Sequence, residues 1–437
     1  MTRSPAPGQA LSVAVSNTGF ASRRATGGSP TPDVIVVGAG PAGSTAARTL
    51  ALGGARVLIL DRATFPRYKA CGGGLTWRVL RRFPYLESGL TGIETHAVTR
   101  LYMEGPGGQA VTVDGGCPTV MMIRRVEFDH LLLRLAQEAG ADLVEGVEIT
   151  RAQRRDGMIH LETREGRAFE APLVVAADGV YSVVARRLGF NAGWPSSSVA
   201  LDMMEETPVD QLRAVDEQTL WVSFAPGAGH GYGYIFPKAH WVNVGVGYLL
   251  SSFKAHIAQP PYQVHESFVA SATERGLLVG ASDRKRFTPY QIPIGGPLPV
   301  TARDGVYLAG DAGGFVNGFS AEGIYFAMVS GDLAGRAILE GPSPRLYQRY
   351  WRREIGTELR DSRFLNRYLF ADLSRVDRLV RAVRVFPDVN RLLVAYAVGE
   401  LTYEQARRQF VMRFPRVALR LAANFLLART GLGRARQ

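Results

Sequence analysis

Gly38-Ala39-Gly40-Pro41-Ala42-Gly43 is the stretch whose residue types and spacing most directly specify chemistry. Gly38 permits a tight turn off a strand, Gly40 lets backbone approach a pyrophosphate, and Gly43 lets helix and strand pack closely. A helix opening at Pro41 and Ala42 presents free N–H groups and a favourable dipole to phosphate oxygens. Asp61, followed by Arg62, ends the next apolar run 23 residues after Gly38, where a carboxylate can bind ribose hydroxyls. Strand, glycine turn, helix and acid in this order describe a dinucleotide site, and we count Arg62 with it. Redox chemistry is what such a site most often serves.

Three more segments carry polar residues in glycine-rich or helical settings. Gly310-Asp311, in VYLAGDAGGFVNGFSAEGI, follows a short apolar run and leads through Gly323 into a helix at Ile324. Asp178-Gly179 lies in AADGVYSVVARR, and Arg125 opens RVEFD. In this order the segments resemble the FAD-binding motifs of the p-hydroxybenzoate hydroxylase-like flavoproteins. The resemblance implies that the nucleotide is FAD rather than NAD. It also implies that Asp311 reaches the ribityl chain, that the loop to Gly323 and Ile324 passes the isoalloxazine, and that Arg125 and Asp178 contact the cofactor.

Two stretches narrow the resemblance. Pro66 to Leu75, PRYKACGGGL, is similar to the cysteine-glycine loop of the geranylgeranyl reductases. Tyr232 to Gly247, YGYIFPKAHWVNVGVG, is similar to their substrate-cavity motif, with Tyr234 where that motif has Trp. Tyr preserves an aromatic wall and adds a hydroxyl. The resemblance spans roughly residues 33–340 and is loose beyond them. It implies an FAD-dependent reductase that saturates carbon–carbon double bonds of a prenyl chain on a lipid, quinone or chlorophyll-type substrate. Reduced FAD would give a hydride to one alkene carbon and a proton would reach the other. Cys71, Tyr232 and Tyr234 are the catalytic candidates; Cys71 and Gly72 also border the cofactor. Gly73, Tyr232, Tyr234, Phe236, Pro237 and Lys238 are the substrate-binding candidates.

The residues themselves leave alternatives open. Gly72, Gly73 and Gly74 let backbone come close to a flavin, yet Cys71 among them reads equally as a small residue in a flexible loop. Tyr and Cys are protonated at neutral pH, so either, or a water they hold, can donate a proton. Lys238, after the cis-capable Phe236–Pro237 bond, reads as a solvated turn lysine or as a required cation; Lys69 reads the same way. Of Trp221, Phe224, Tyr232, Tyr234, Phe236 and Trp241, most should be sheet core, with Tyr232 and Tyr234 the pair expected to line a cavity.

These residues need elements to hold them. Val34 to Val37 and Arg56 to Leu60 read as buried parallel strands around an Ala-rich helix ending near Leu52. A helix is expected over Phe128 to Ala139, a strand over Leu143 to Ile149, a hairpin at Asp156-Gly157, and strands at Leu173 to Ala176 and Val306 to Ala309. Aromatic-rich strands at Leu220 to Phe224, Tyr232 to Phe236 and Trp241 to Tyr248 suggest an inserted sheet. The fold class is therefore α/β: a Rossmann-type FAD-binding domain, an inserted antiparallel β-sheet substrate domain and a helical C-terminal region. The expected boundaries are a disordered extension over 1–32 (a transit peptide or over-extended start being the alternatives), FAD-binding residues 33–190 and 296–340 with strands interspersed at 95–120, substrate-binding residues 191–295, and helical residues 341–437.

Composition narrows the classes. Two cysteines, Cys71 and Cys117, exclude a disulfide framework, and Cys117 has no motif around it. No Cys/His cluster has metal-ligand spacing, so no metal is expected. A net charge of +12, carried almost entirely by arginine, admits nucleic acid or anionic lipid as partner. Nucleic acid is not expected, since no aromatic platform is interleaved with basic residues. The acid-free, arginine-rich stretch after Glu404 reads as a basic amphipathic helix on the inner face of the membrane, or equally as a helix packed on its own protein with solvated arginines; the protein is expected in the cytoplasm. The expected partners are a prenyl-chain lipid or diphosphate and an electron donor, NADPH or ferredoxin-type, that no second fingerprint identifies. The rival readings are a monooxygenase or halogenase of the same fold, and a non-catalytic lipid or quinone carrier.

Overall fold

A computed structural model describes residues 31–226 and 229–412. Most of the N-terminal extension and the arginine-rich stretch from Arg413 onward lie outside the described residues.

Val34–Val37 is the centre of a six-stranded sheet, flanked by Leu173–Ala176 and Val57–Leu60, all parallel. Val306–Leu308 and Asp142–Val144 extend it in parallel, and Ala302–Arg303 closes one edge antiparallel. Alternation along the central strand assigns its two faces. Val34 and Val36 pack under helices Pro41–Leu52, Arg125–Glu138 and Ile324–Leu339, while Ile35 and Val37 pack under an antiparallel meander over residues 149–171. The meander turns at Asp156-Gly157, both at positive φ, as a two-residue hairpin requires. Helices Pro41–Leu52 and Ile324–Leu339 touch through glycine: a Cβ on Gly331 would lie 2.1 Å from the Ala42 carbonyl oxygen.

A second sheet has seven strands in the order Thr288–Ile292, Ala200–Pro208, Trp241–Leu249, Gly231–Pro237, Thr219–Phe224, Arg100–Glu104 and Ala110–Asp114. Its pairs are antiparallel except Thr219–Phe224 with Arg100–Glu104. Thus the strands at Arg100–Glu104 and Ala110–Asp114, grouped above with the FAD-binding segment, hydrogen-bond into the aromatic sheet. Helices Leu250–His256 and Pro261–Glu274 also belong to this region, where the aromatic pattern suggested strands alone. The Leu143 to Ile149 run divides into the edge strand Asp142–Val144 and the meander strand Ile149–Arg155. Among the described residues the chain is helical from Pro344 on, as the pattern indicated; the part of that expectation beyond Met412 lies outside them.

A cavity joining the glycine turn to the aromatic sheet

The glycine turn is built by exclusion. Gly38 has φ +99°, and a Cβ there would lie 2.4 Å from the Ala177 carbonyl oxygen. A Cβ on Gly43 would lie 1.8 Å from the Gly38 carbonyl oxygen, so the helix sits against the strand only because Gly43 is bare. Gly40 differs: the nearest atom to its absent Cβ is Arg67 Nη2 at 3.6 Å, which leaves its backbone open to a ligand. Asp61 braces the turn, accepting from the Ala39 N–H at 2.6 Å and from the Ala63 N–H at 2.8 Å.

From this turn a cavity of about 490 Å³ runs to the aromatic sheet. Gly38, Gly40, Pro41, Ala42, Asp61 and Arg62 line its nucleotide end. Arg125, Asp178, Gly310, Asp311, Gly323 and Ile324 also line it, with Asp178 beside Gly38 and Gly310 beside Ala42. Cys71, Gly72, Gly73, Tyr232, Tyr234 and Phe236 meet at the far end with Leu220 and Ile292. Period-2 geometry selects the aromatic set: Tyr232, Tyr234 and Phe236 share one face, while Gly233 and Ile235 face Phe268 and its core on the other. Trp221 stacks on Tyr102, Phe224 packs with Phe319 and Phe370, and Trp241 lies beside Arg124; none of the three lines the cavity.

Gly43, Pro237 and Lys238 stand outside the cavity wall. Lys238 is neither solvated nor at the wall: it is 3% exposed and pairs with Glu206, which also holds Arg124 at 3.3 Å. Its Nζ lies 2.8 Å from where a Gly73 Cβ would sit, so it buttresses the cysteine-glycine loop from behind. Among the described residues the cis peptide bonds are Phe65–Pro66 and Gly296–Pro297, whereas Phe236–Pro237 lies in the strand next to Val242.

Charge concentrates where the three segments meet. Arg125 forms a bidentate pair with Asp129 at 2.6 and 2.7 Å, and Arg67 reaches the same carboxylate at 3.0 Å. Lys69 Nζ sits 3.1 Å over the Tyr290 ring, and burial together with the Arg125 charge lowers its pKa to about 8. Burial raises Asp311, opposed by Lys69 and Arg125. Asp178 accepts from the Val183 and Val184 N–H groups with one oxygen, and burial raises it as well. Tyr232 donates to the Ser320 carbonyl at 2.9 Å, and Tyr234 donates to Asp202 at 3.2 and 3.3 Å.

Arg67, Tyr290 and Asp202 were not singled out from sequence, and Lys69 was left open. Asp202 had a usable signal, an acid inside the strand-like run LDMM whose alternate positions are apolar. Arg67 and Lys69 had only their place in the loop.

The site fits FAD. Asp178 Oδ1 and Arg67 Nη1 are buried polar atoms with no protein partner, one an acceptor and one a donor, both on the cavity wall. The sequence matches the family described as FAD binding domain over residues 31–329. Menaquinone reductase of Mycobacterium tuberculosis is 30% identical over 334 residues, covering 72% of this chain and 78% of that protein. Digeranylgeranylglycerophospholipid reductase of Methanococcus vannielii is 27% identical over 350 residues, covering 78% of this chain and 85% of that protein. A geranylgeranyl bacteriochlorophyll reductase-like protein of Thermoplasma acidophilum shares the fold, with TM-score 0.71, 21% identity, and 87% of this chain and 98% of that one covered. Fold and site define a flavoprotein with FAD as its cofactor. The chain belongs to the geranylgeranyl reductase family of FAD-dependent oxidoreductases.

Proposed function

We propose that this enzyme saturates carbon–carbon double bonds in a prenyl chain carried by a lipid, quinone, chlorophyll-type or diphosphate substrate. The observation carrying this reading is the single cavity in which the glycine turn, the Asp311 loop, the cysteine-glycine loop and an apolar aromatic wall meet. When bound and reduced, FAD supplies the hydride.

The protein's own residues supply position and proton. Gly38, Gly40, Pro41, Ala42, Asp61 and Arg62 hold the nucleotide end, with Gly43 fixing the helix against the strand. Arg67, Arg125, Asp178, Asp311, Gly323 and Ile324 also hold the cofactor, and Cys71, Gly72 and Gly73 border the reacting end. Phe236, Leu220 and Ile292 exclude water from the chain, so that alignment of an unpolarised double bond decides the rate. Tyr232, Tyr234 and Cys71 stand at the reacting end as proton sources. Burial, with Asp202 second, pushes both phenols above their usual value, so both are neutral donors near neutral pH.

Access to a lipid-borne chain agrees with the outer surface. Phe364, stacked on Tyr368, and Phe410, Val411 and Met412 are exposed apolar residues of the C-terminal helical region, near Arg407 and Arg408. Such a surface suits peripheral contact with anionic lipid on the cytoplasmic face. Among the described residues no helix is long and apolar enough to cross a membrane.

The test is product analysis. Dithionite-reduced enzyme given geranylgeranyl diphosphate or a menaquinone without oxygen should yield product heavier by one H₂ per reduced double bond. Product that forms only when oxygen is admitted would instead establish a monooxygenase or halogenase. Comparing NADPH with a ferredoxin as reductant identifies the electron donor in the same assay.

A further inference from the structure

Asp202 has no part in holding the nucleotide, yet it lies on the cavity wall. Its strand, Ala200–Pro208, is paired along both edges, so its position is set by two ladders rather than by a loop. Across those ladders stand Gly247 and Tyr290. Room for a carboxylate–phenol contact is made by glycine. A Cβ on Gly245 would lie 2.4 Å from the Tyr234 hydroxyl, so the ring can lie back over that strand and reach Asp202. Asp202 is 8% exposed, and both its oxygens lie within hydrogen-bond reach of the Tyr234 hydroxyl. It also borders a smaller cavity of about 50 Å³ with His230 and Phe370, which gives it a second side.

We propose that Tyr234 and Asp202 are the proton-delivery pair of this enzyme, an inference that rests on the reductase reading above. The Tyr234 hydroxyl gives its proton to the alkene carbon that does not receive the hydride, and the protonated Asp202 carboxyl returns a proton to the phenol oxygen. The balance closes. The alkene π bond breaks, one C–H bond forms with the hydride's two electrons, and the other forms with the tyrosine proton. The reduced flavin is oxidised, Tyr234 ends as it began, and Asp202 ends as a carboxylate that solvent reprotonates.

The coupling has a physical reason. A lone tyrosinate at this buried position is strongly disfavoured, since burial by itself raises the phenol's pKa. Transfer from Tyr234 is therefore feasible when a second proton follows at once. Burial holds Asp202 protonated up to about 7, opposed by its hydrogen bond from Tyr234 and then by the Lys69 charge. Tyr68 and Lys69 face it from the cysteine-glycine loop, Tyr232 and Tyr234 from the aromatic strand, and Tyr290 from the edge strand. Of these groups only Lys69 is a cation.

The experiment is single-turnover oxidation of the reduced holoenzyme by geranylgeranyl diphosphate across pH, in wild type, Asp202→Asn, Asp202→Glu and Tyr234→Phe. Infrared difference spectra of the oxidised enzyme are recorded beside it. The wild-type rate should fall as pH rises through about 7, and a protonated-carboxyl band should fade over the same range. Asp202→Asn should lose that band, lose the pH dependence and slow hydride transfer on the order of 100-fold. Its FAD absorbance and substrate affinity should be unchanged. Tyr234→Phe should slow the step equally, and Asp202→Glu should restore part of the rate with a displaced pH profile. A wild-type rate and pH profile in Asp202→Asn, or in Tyr234→Phe should the first variant not hold FAD, overturns the pair. So does the absence of the carboxyl band. A wild-type enzyme that retains the band but oxidises without saturating any alkene overturns the reductase reading and, with it, this role for the pair.

Discussion

The two ends of the cavity are built by opposite means. At the nucleotide end the chain works by leaving side chains out: Gly38 and Gly43 let strand and helix come closer than any Cβ would allow, and Gly40 leaves its backbone open. At the substrate end bare glycines such as Gly73 and Gly245 make room as well, but for side chains that form the wall: Tyr232, Tyr234 and Phe236 from one strand, Asp202 from another, Cys71 and Lys69 from a loop. The first depends on consecutive residues and tolerates almost nothing. The second depends on residues far apart in sequence, so its members can change one at a time and alter what is accepted rather than whether the protein assembles.

The sharpest way to break this contrast is Gly43→Val. With 1.8 Å between an added Cβ and the Gly38 carbonyl oxygen, the helix cannot keep its seat, and we expect no FAD-loaded protein on purification. Yellow, stable protein from this variant would mean that the turn is adaptable. Lys238→Met comes next. It leaves Glu206 buried with Arg124 alone and slackens the support behind Gly73. Loss of a buried partner typically costs about 3–5 kcal/mol, and the retained Arg124 should hold the loss to the lower end. Thermal unfolding reads that loss, and hydride transfer should suffer more than FAD affinity.

Phe236→Ala should have a smaller and more selective effect. Its ring borders both Gly72 and the cavity, so prenyl-substrate binding should weaken on the order of 10–100-fold while the flavin spectrum stays as it was. Equal losses of FAD and substrate affinity would show that the two ends are not separable.

The smallest effect is a pair of opposing pH dependences, from Asp202 in the aromatic sheet and from His265 on the helix Pro261–Glu274 packed against it. Burial lowers His265 from 6.5 to about 4, so the folded state binds fewer protons than the unfolded state between those values. Stability from His265 therefore declines as pH falls through that window. Asp202 is raised from 3.8 to about 7, so its contribution is present on the acid side and declines as pH rises through its own window. The two nearly oppose each other. Asp202→Asn should leave a stability that rises from about pH 4 to about pH 6.5, and His265→Asn one that falls, each on the order of 1–3 kcal/mol. Parallel profiles in both variants would show that neither group titrates as its burial requires.

The same contrast explains what could be read from sequence. The nucleotide end was legible because its physics is local: turn, strand and helix follow within a few residues, and the acid ends the next strand. The aromatic strand was legible too, because alternation alone puts Tyr232, Tyr234 and Phe236 on one face. Asp202 stands out only as an acid in an apolar strand; its role is not legible, since that depends on which strand lies beside it. Nor was the inward turn of Lys238, which requires knowing that Glu206 lies two strands away across Trp241–Leu249. The strands at Arg100–Glu104 and Ala110–Asp114 gave short alternating signals without saying which sheet would take them. The glycine contact between Gly331 and Ala42 joins helices almost 300 residues apart, and no local pattern announces it.

The central claim is that the reduced flavin is oxidised by an alkene in this cavity. Stopped-flow mixing of the reduced holoenzyme with geranylgeranyl diphosphate, in the strict absence of oxygen, follows that event directly. The oxidised-flavin absorbance should return in step with formation of the saturated product, one flavin oxidised for each double bond lost. A flavin that stays reduced with geranylgeranyl diphosphate and with a menaquinone alike, and is oxidised only when oxygen enters, would contradict it.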